Sequence, residues 1–221
     1  MPPSSRLRGV GREKTRKTTL GDGAETERPE DLVKRKFVAT ANQLWAADMT
    51  YVCTHAGWTF VAFVLDVFSR MIVGLQVSTS LRIDLALGQA AVRPDVAGLT
   101  HHSDRGVPYR AIRYTERLAE ADAVASVGSK GGSYDNAMAE ALNSLFKAEC
   151  IRNPAMRPQG GWKSVCDVEI AVAEYVDWFN HRRLHGEIGL VPPAEFEASY
   201  WASITAAHYP ETPVPARAGS K

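Results

Sequence analysis

Three apolar segments separated by short turns constrain the fold of this chain more than any other part of its sequence. They occupy residues 44–53, 58–65 and 70–77, and they are rich in β-branched, aromatic and small apolar residues, which are typical of strands. The intervening turns, at His55-Ala56-Gly57 and at 66–69, are too short for a crossover connection. The three segments therefore predict an antiparallel meander.

Helices and strands alternate in the next part of the chain. Apolar residues recur at helical spacing over 82–93 and 111–121, and short strands are predicted at 98–103 and 123–127. Strand-helix-strand connections add parallel strands to a sheet and pack helices on its faces. The sequence thus predicts an α/β fold with a mixed five-stranded sheet flanked by helices. Two more helices are predicted, at 165–179 and from Pro192 to about Trp201.

The helix predicted within residues 131–147 has one apolar and one polar side. Its polar arc holds Asn136, Glu140, Asn143 and Lys147, opposite Met138, Ala141, Leu142, Leu145 and Phe146. Such a helix alone is most often a surface helix with a solvated side. The polar arc becomes a candidate site because two other acids lie at predicted strands.

These two acids are Asp48, in the middle of the first predicted strand, and Asp104, directly after the fourth. Burying a carboxylate in an apolar strand is costly unless a cation, a donor or a metal balances it. Asp104 alone is also explained as a turn cap. Together with Glu140, the two can hold two Mg²⁺ ions about 3.5–4 Å apart, as in phosphoryl transfer.

Other polar residues receive structural interpretations. Asp66 is assigned to a strand turn. His101 and His102 are assigned to packing at a strand end, because these histidines lack a metal-ligand partner at helical spacing. The glycine-rich segment 128–132 lacks the spacing of a phosphate loop and is interpreted as a mobile loop.

The composition is that of an ordinary globular protein, with 45% hydrophobic and 23% charged residues. The three cysteines are far apart and form no Cys-x-x-Cys pair, which argues against a disulfide framework and a thiolate zinc site. No apolar run is long enough to span a membrane, and we expect a cytoplasmic protein. Residues 1–20 carry six basic residues and one acid, so this arm either lies along nucleic-acid phosphates or is a solubilising tail.

Each of the three acids stands in a distinctive sequence block. The blocks are Trp45-Ala46-Ala47-Asp48-Met49-Thr50-Tyr51-Val52, His101-His102-Ser103-Asp104-Arg105-Gly106 and Gly131-Gly132-Ser133-Tyr134-Asp135-Asn136-Ala137-Met138-Ala139-Glu140. The interval between Asp104 and Glu140 is 35 residues, positions 105 to 139, and Lys147 follows Glu140 by seven positions. In these features the chain resembles integrase-core transposases of the Asp-Asp-Glu type, and more closely the second-frame (OrfB) products of two-frame bacterial insertion sequences. The resemblance extends from about Arg28 to Trp201.

The resemblance implies a ribonuclease H-like fold and metal-dependent DNA cleavage and strand transfer. It implies that Asp48, Asp104 and Glu140 are the catalytic residues and the ligands of two Mg²⁺ ions, with Mn²⁺ as a substitute. Water and then a DNA 3′-hydroxyl would be the nucleophiles. The expected DNA contacts are Asn136, Lys147, Lys130, Arg182 and Arg183, although cations at 181–183 are equally explained by a helix dipole. The expected partners are transposon ends and target DNA, further copies of the chain, and a first-frame helix-turn-helix protein.

Three regions are predicted: a basic arm and linker at 1–40, a catalytic core with a helical extension at 41–202, and a flexible tail at 203–221. Relative to typical relatives, the chain lacks an upstream helical region, its helix at 82–93 looks shortened and its loop at 153–161 looks enlarged. Asp122 also replaces a helix-ending glycine. Two alternatives to a transposase therefore stay open: a truncated, non-catalytic DNA-binding remnant, and a nuclease that hydrolyses DNA without joining it.

Overall fold

A five-stranded mixed sheet forms the centre of the molecule. The computed structural model describes residues 32, 39–80, 98–103, 116, 118–120, 122–127 and 137–208. The strands are β1 (Leu44–Thr54), β2 (Gly57–Asp66), β3 (Ile72–Ser78), β4 (Thr100–Ser103) and β5 (Val124–Val127), in the order β3-β2-β1-β4-β5. The first three are antiparallel, whereas β4 and β5 run parallel to β1. The predicted mixed sheet is confirmed, and every strand lies within two residues of its predicted bounds.

Three helices follow the sheet: α1 (Ala137–Phe146), α2 (Val165–His181) and α3 (Pro193–His208). The prediction that the last helix ends near Trp201 is wrong. Ala202, Ala206 and Ala207 favour a helix, and the next proline is Pro210, so nothing stops α3 earlier. The predicted helix at 82–93 lies outside the described residues, and of that at 111–121 residues 116 and 118–120 are helical. The division into three regions stays a prediction.

A π-helical turn, Lys147–Ile151, continues α1 without a break. Its hydrogen bonds span five residues, as the 2.9 Å bond from the N–H of Arg152 to the carbonyl of Lys147 shows. One extra residue per turn shifts the phase of the side chains beyond Phe146. The shift turns Glu149 toward α2, as described below.

The two faces of the sheet carry separate cores because side chains alternate along a strand. On one face Val52 and Phe63 pack against α1 and α2, and Phe63 meets Phe146 with ring centroids 5.2 Å apart. On the other face Trp45 and Val64 form a second cluster. At the edge, the Asn180 side chain accepts from the N–H of Ile72 and donates to its carbonyl, both at 2.9 Å. This pairing ties α2 to the edge strand β3.

Candidate active site

Asp48 projects from β1 toward α1, where the side chain of Asn143 holds its carboxylate. The Nδ2 of Asn143 donates a 2.9 Å hydrogen bond to Oδ2 of Asp48, and the N–H of Met49 donates a 2.8 Å bond to Oδ1. Asn143 is buried, whereas Asp48 is partly exposed. A hydrogen bond to a carboxylate is stronger than a neutral one, so Asn143 fixes the position of this acid. The predicted buried strand acid therefore has its balancing donor on the helix that carries Glu140.

Glu140, Asn143 and Lys147 form one stripe along α1 and its π-helical continuation. Residues three or four apart on a helix are neighbours, with about 5–6 Å between their Cβ atoms. The exposed Glu140 is thus adjacent to the residue that holds Asp48. Nζ of Lys147 lies 4.7 Å from the centroid of the Tyr51 ring. Burial lowers the pKa of Lys147, and the nearby carboxylate of Asp48 acts in the opposite direction. The stripe therefore faces β1 from Asp48 to Tyr51.

Asp104, Asn136 and Lys130 lie outside the described residues. Their assigned roles stay predictions. The described part of β4 ends at Ser103, which stands in parallel register with Ala47, the residue before Asp48. The strand that leads into Asp104 therefore ends beside the strand position of Asp48.

Asp48, Glu140 and the amide of Asn143 are the oxygen-bearing side chains that the structure describes at this site. The described residues include no group of three or more His, Cys, Asp or Glu side chains arranged to hold a metal ion. Two of the three predicted acids are among them. Asn143 adds a relevant observation, because its Oδ1 is buried and has no hydrogen-bond partner in the described part of the chain. Oxygen atoms of carboxylates and amides are the ligands that Mg²⁺ prefers, directly or through water. This unpaired oxygen next to a carboxylate fits a cation site completed by further acids.

Arg182 and Arg183, two predicted DNA contacts, already have acidic partners within the chain. Arg183 binds Glu149 through Nε and Nη2 at 2.8–3.1 Å, in a pair whose side chains are 19% and 27% exposed. Arg182 binds Asp177 at 2.7 Å, with both side chains more than half exposed. The exposed pair of Arg182 and Asp177 can separate in solvent at little cost in free energy. The mostly buried pair of Arg183 and Glu149 joins the π-helical turn to the end of α2. A DNA contact by either arginine stays a prediction.

Asp66, His101 and His102 have the structural roles that the sequence predicts for them. Asp66 accepts hydrogen bonds from the N–H and hydroxyl of Ser69 and from the N–H of Asn42, which confirms it as a turn residue. Burial is the main reason that the pKa of Asp66 is raised. His101 and His102 are fully buried in β4, and Nδ1 of His102 lies 2.9 Å from Oγ of Ser126. Burial lowers the pKa of His101 to about 3.

Two residues with important contacts were not among the predicted site residues. Asn143 was placed on the polar arc of its helix, but that arc alone does not reveal that it faces Asp48. The spacing of three residues between Glu140 and Asn143 could have indicated its role, because it places both on the same side of the helix. Glu149 gave no signal, because its contact with Arg183 depends on the π-helical turn.

Family models and related proteins both match most of the chain. Two family models, each described as an integrase core domain, match residues 39–133 and 124–193. A putative transposase for insertion sequence element IS986/IS6110 from Mycobacterium tuberculosis is 47% identical over 206 residues, covering 89% of this chain and 72% of that protein. The transposase for insertion sequence element IS629 from Shigella sonnei is 46% identical over 202 residues, covering 90% of this chain and 66% of that protein.

Among solved structures, the chain is similar to a chain in the simian T-cell lymphotropic virus intasome bound to PP2A regulatory subunit B56 gamma. The TM-score is 0.54 at 12% identity, covering 88% of this chain and 63% of that one. At this identity the likeness supports the fold alone. Every helix in the part of the chain described here is too short or too polar to span a bilayer.

Proposed function

Because the chain belongs to the integrase core domain family of transposases, we propose that it catalyses cleavage and joining of DNA strands with Asp48, Asp104 and Glu140 as its catalytic residues. The observation that carries this assignment is the hydrogen bond from Asn143 to Asp48. It fastens the first acid of the motif to the helix that carries the third. This bond supports the proposal that the two acids, 92 positions apart in the sequence at 48 and 140, act at one place.

Proteins of this family act with divalent metal ions. We assign Asp48, Asp104 and Glu140 as the residues that would hold two Mg²⁺ ions, or Mn²⁺ in their place. Bound there, the ions would activate a nucleophile and stabilise the leaving oxygen. The unpaired Oδ1 of Asn143 supports this assignment, because it leaves an acceptor beside Asp48 for a cation or its water.

The chain's own residues have separable tasks in this reaction. Asn143 orients Asp48, and the exposed Glu140 is open to substrate. Lys147 places a positive charge near Asp48, where a DNA phosphate needs a partner. Asn136 and Lys130 are assigned as further DNA contacts, as is Arg182, whose exposed ion pair can exchange its carboxylate for a phosphate. The attacking groups are water in cleavage and a DNA 3′-hydroxyl in joining.

The proposed partners are the terminal repeats of the element, target DNA and further copies of this chain. A first-frame helix-turn-helix protein is proposed to help recognise the ends. The basic residues within 1–20 can add a sequence-independent contact with phosphates.

The direct test incubates the protein, with its first-frame partner, with Mg²⁺ and oligonucleotides that carry the element's terminal repeats. We expect nicked and joined products from the wild type, none from Asp48→Asn, and normal yields from Glu169→Gln, which removes an exposed acid on α2. Cleavage without joining would identify a nuclease. DNA binding without any metal-dependent cleavage would identify a non-catalytic remnant.

A further inference from the structure

Two exposed aromatic side chains stand next to the proposed site. The rings of Tyr51 and Trp58 meet edge to face, with centroids 5.0 Å apart and an interplanar angle of 88°. Tyr51 is 37% exposed and Trp58 is 56% exposed. Burial of a large aromatic ring is favourable, so two rings left exposed to water do not gain this stabilisation within the chain itself. A pair held in contact with each other while still exposed is a surface available to a binding partner.

The pair lies where β1 loses its parallel neighbour. Strand β4 pairs only with residues 44–47 of β1, whereas β1 continues to Thr54. Beyond Asp48, this side of β1 has no paired strand among the described residues. Tyr51 lies three residues beyond Asp48, about 10 Å along the strand, and this odd offset places the two side chains on opposite faces of the sheet. The two faces meet at this open edge, where Lys147 contacts the ring of Tyr51 and feels the charge of Asp48.

The surroundings of the pair are basic. Lys147 lies over the ring of Tyr51, 4.7 Å from its centroid. Arg152 is a second cation, close enough to act on Lys147. The charge suits a polyanion, and the aromatic faces suit flat, uncharged rings. Nucleic acid with unpaired bases has both properties.

We propose that Tyr51 and Trp58 form a stacking site for an unpaired base of the DNA strand that enters the active site, with Lys147 holding the adjoining phosphate. The inference rests on the proposed function and specifies its substrate as DNA whose end is frayed.

The test compares a blunt duplex with the same duplex carrying three unpaired nucleotides at the cleaved end. We expect Trp58→Ala and Tyr51→Ala each to weaken binding of the unpaired DNA about 5- to 100-fold, the range for loss of one stacked base. Blunt-duplex binding should change less than twofold. Trp58→Phe, which keeps an aromatic face, should retain most of the affinity. Ile170→Ala, on α2 and 63% exposed, is the matched control for removing an exposed apolar side chain.

A second measurement uses abasic sites placed one at a time along the unpaired strand. In the wild type, an abasic site at one position of the unpaired strand should weaken binding, and in Trp58→Ala the same site should have no further effect. Lys147→Gln should lower the slope of log affinity against log salt by about one unit. Melting temperature and sedimentation distinguish these effects from unfolding and from altered assembly.

Equal losses on blunt and unpaired DNA, or unchanged affinity in both aromatic variants, would overturn the stacking site. A variant that changes the oligomeric state and leaves DNA binding intact would do the same, because it identifies a protein contact. Failure of the proposed chemistry appears differently. It appears as a wild type that binds unpaired DNA through Trp58 but neither cuts nor joins it.

Discussion

Replacing Asn143 by alanine tests whether the position of Asp48 limits the reaction. The variant removes the 2.9 Å hydrogen bond to Oδ2 and leaves Asp48 with the backbone donor of Met49. A hydrogen bond to a charged group contributes about 1.5–3 kcal/mol. If this energy orients Asp48 in the transition state, each 1.4 kcal/mol lost slows the reaction tenfold, so the rate should fall about 10- to 100-fold.

The assay is single-turnover cleavage and joining at saturating DNA, which separates the reaction step from binding. The rate should fall while the dissociation constant for DNA stays within about threefold. Asn143→Asp should be at least as damaging, because it sets a second carboxylate beside Asp48, and acidification should recover part of its activity. Ser144→Ala is the control, since the hydroxyl of Ser144 donates to the Glu140 carbonyl and not to Asp48. A rate within twofold of wild type for Asn143→Ala, in a folded protein, would refute the positioning role.

Three further predictions concern stability. In a double-mutant cycle, Glu149→Ala and Arg183→Ala should show a coupling energy of about 1–3 kcal/mol in urea unfolding, because the pair is shielded and bidentate, and a value below about 0.3 kcal/mol would contradict this. His101, with its pKa near 3, binds a proton more readily when unfolded, so unfolding free energy should fall as pH drops below about 6.5. His101→Gln should remove about 2 kcal/mol of that loss between pH 7 and pH 5, and an unchanged pH profile would exclude His101 as its source. Asp122 is exposed and has a φ of 50°, a left-handed backbone conformation that glycine adopts more readily. Asp122→Gly should therefore stabilise the fold by about 0.5–1 kcal/mol and raise the melting temperature by about 1–4 °C. A lower melting temperature would show that the aspartate side chain is needed.

Local sequence patterns predicted the sheet well. Two short turns join the segments at 44–53, 58–65 and 70–77, and turns of this length permit only antiparallel neighbours. Strands β1, β2 and β3 have nearly these bounds. The end of α3 was predicted less well, because no strong stop signal lies between Trp201 and Pro210. Helix ends depend on weak propensities that a few alanines can outweigh.

The candidate site was predictable in part. Sequence blocks around Asp48, Asp104 and Glu140 marked the three acids, and helical spacing placed Lys147 on the stripe of Glu140. The spacing could not reveal that Asn143 is the residue that turns toward Asp48. Periodicity reports which side of a helix a residue occupies, but it does not report what lies opposite.

The sequence by itself predicted the family and the order along the chain of the strands and helices that the structure describes, and it named the three acids proposed as catalytic. Only the tertiary structure decided which distant residues meet: Asn143 with Asp48, Lys147 with Tyr51, and Glu149 with Arg183. Local patterns follow from backbone geometry within a few residues. These contacts depend instead on how α1 lies across β1 and on the π-helical turn that rotates the residues after it. Helix placement of this kind is set by packing of the whole core, which no single segment encodes.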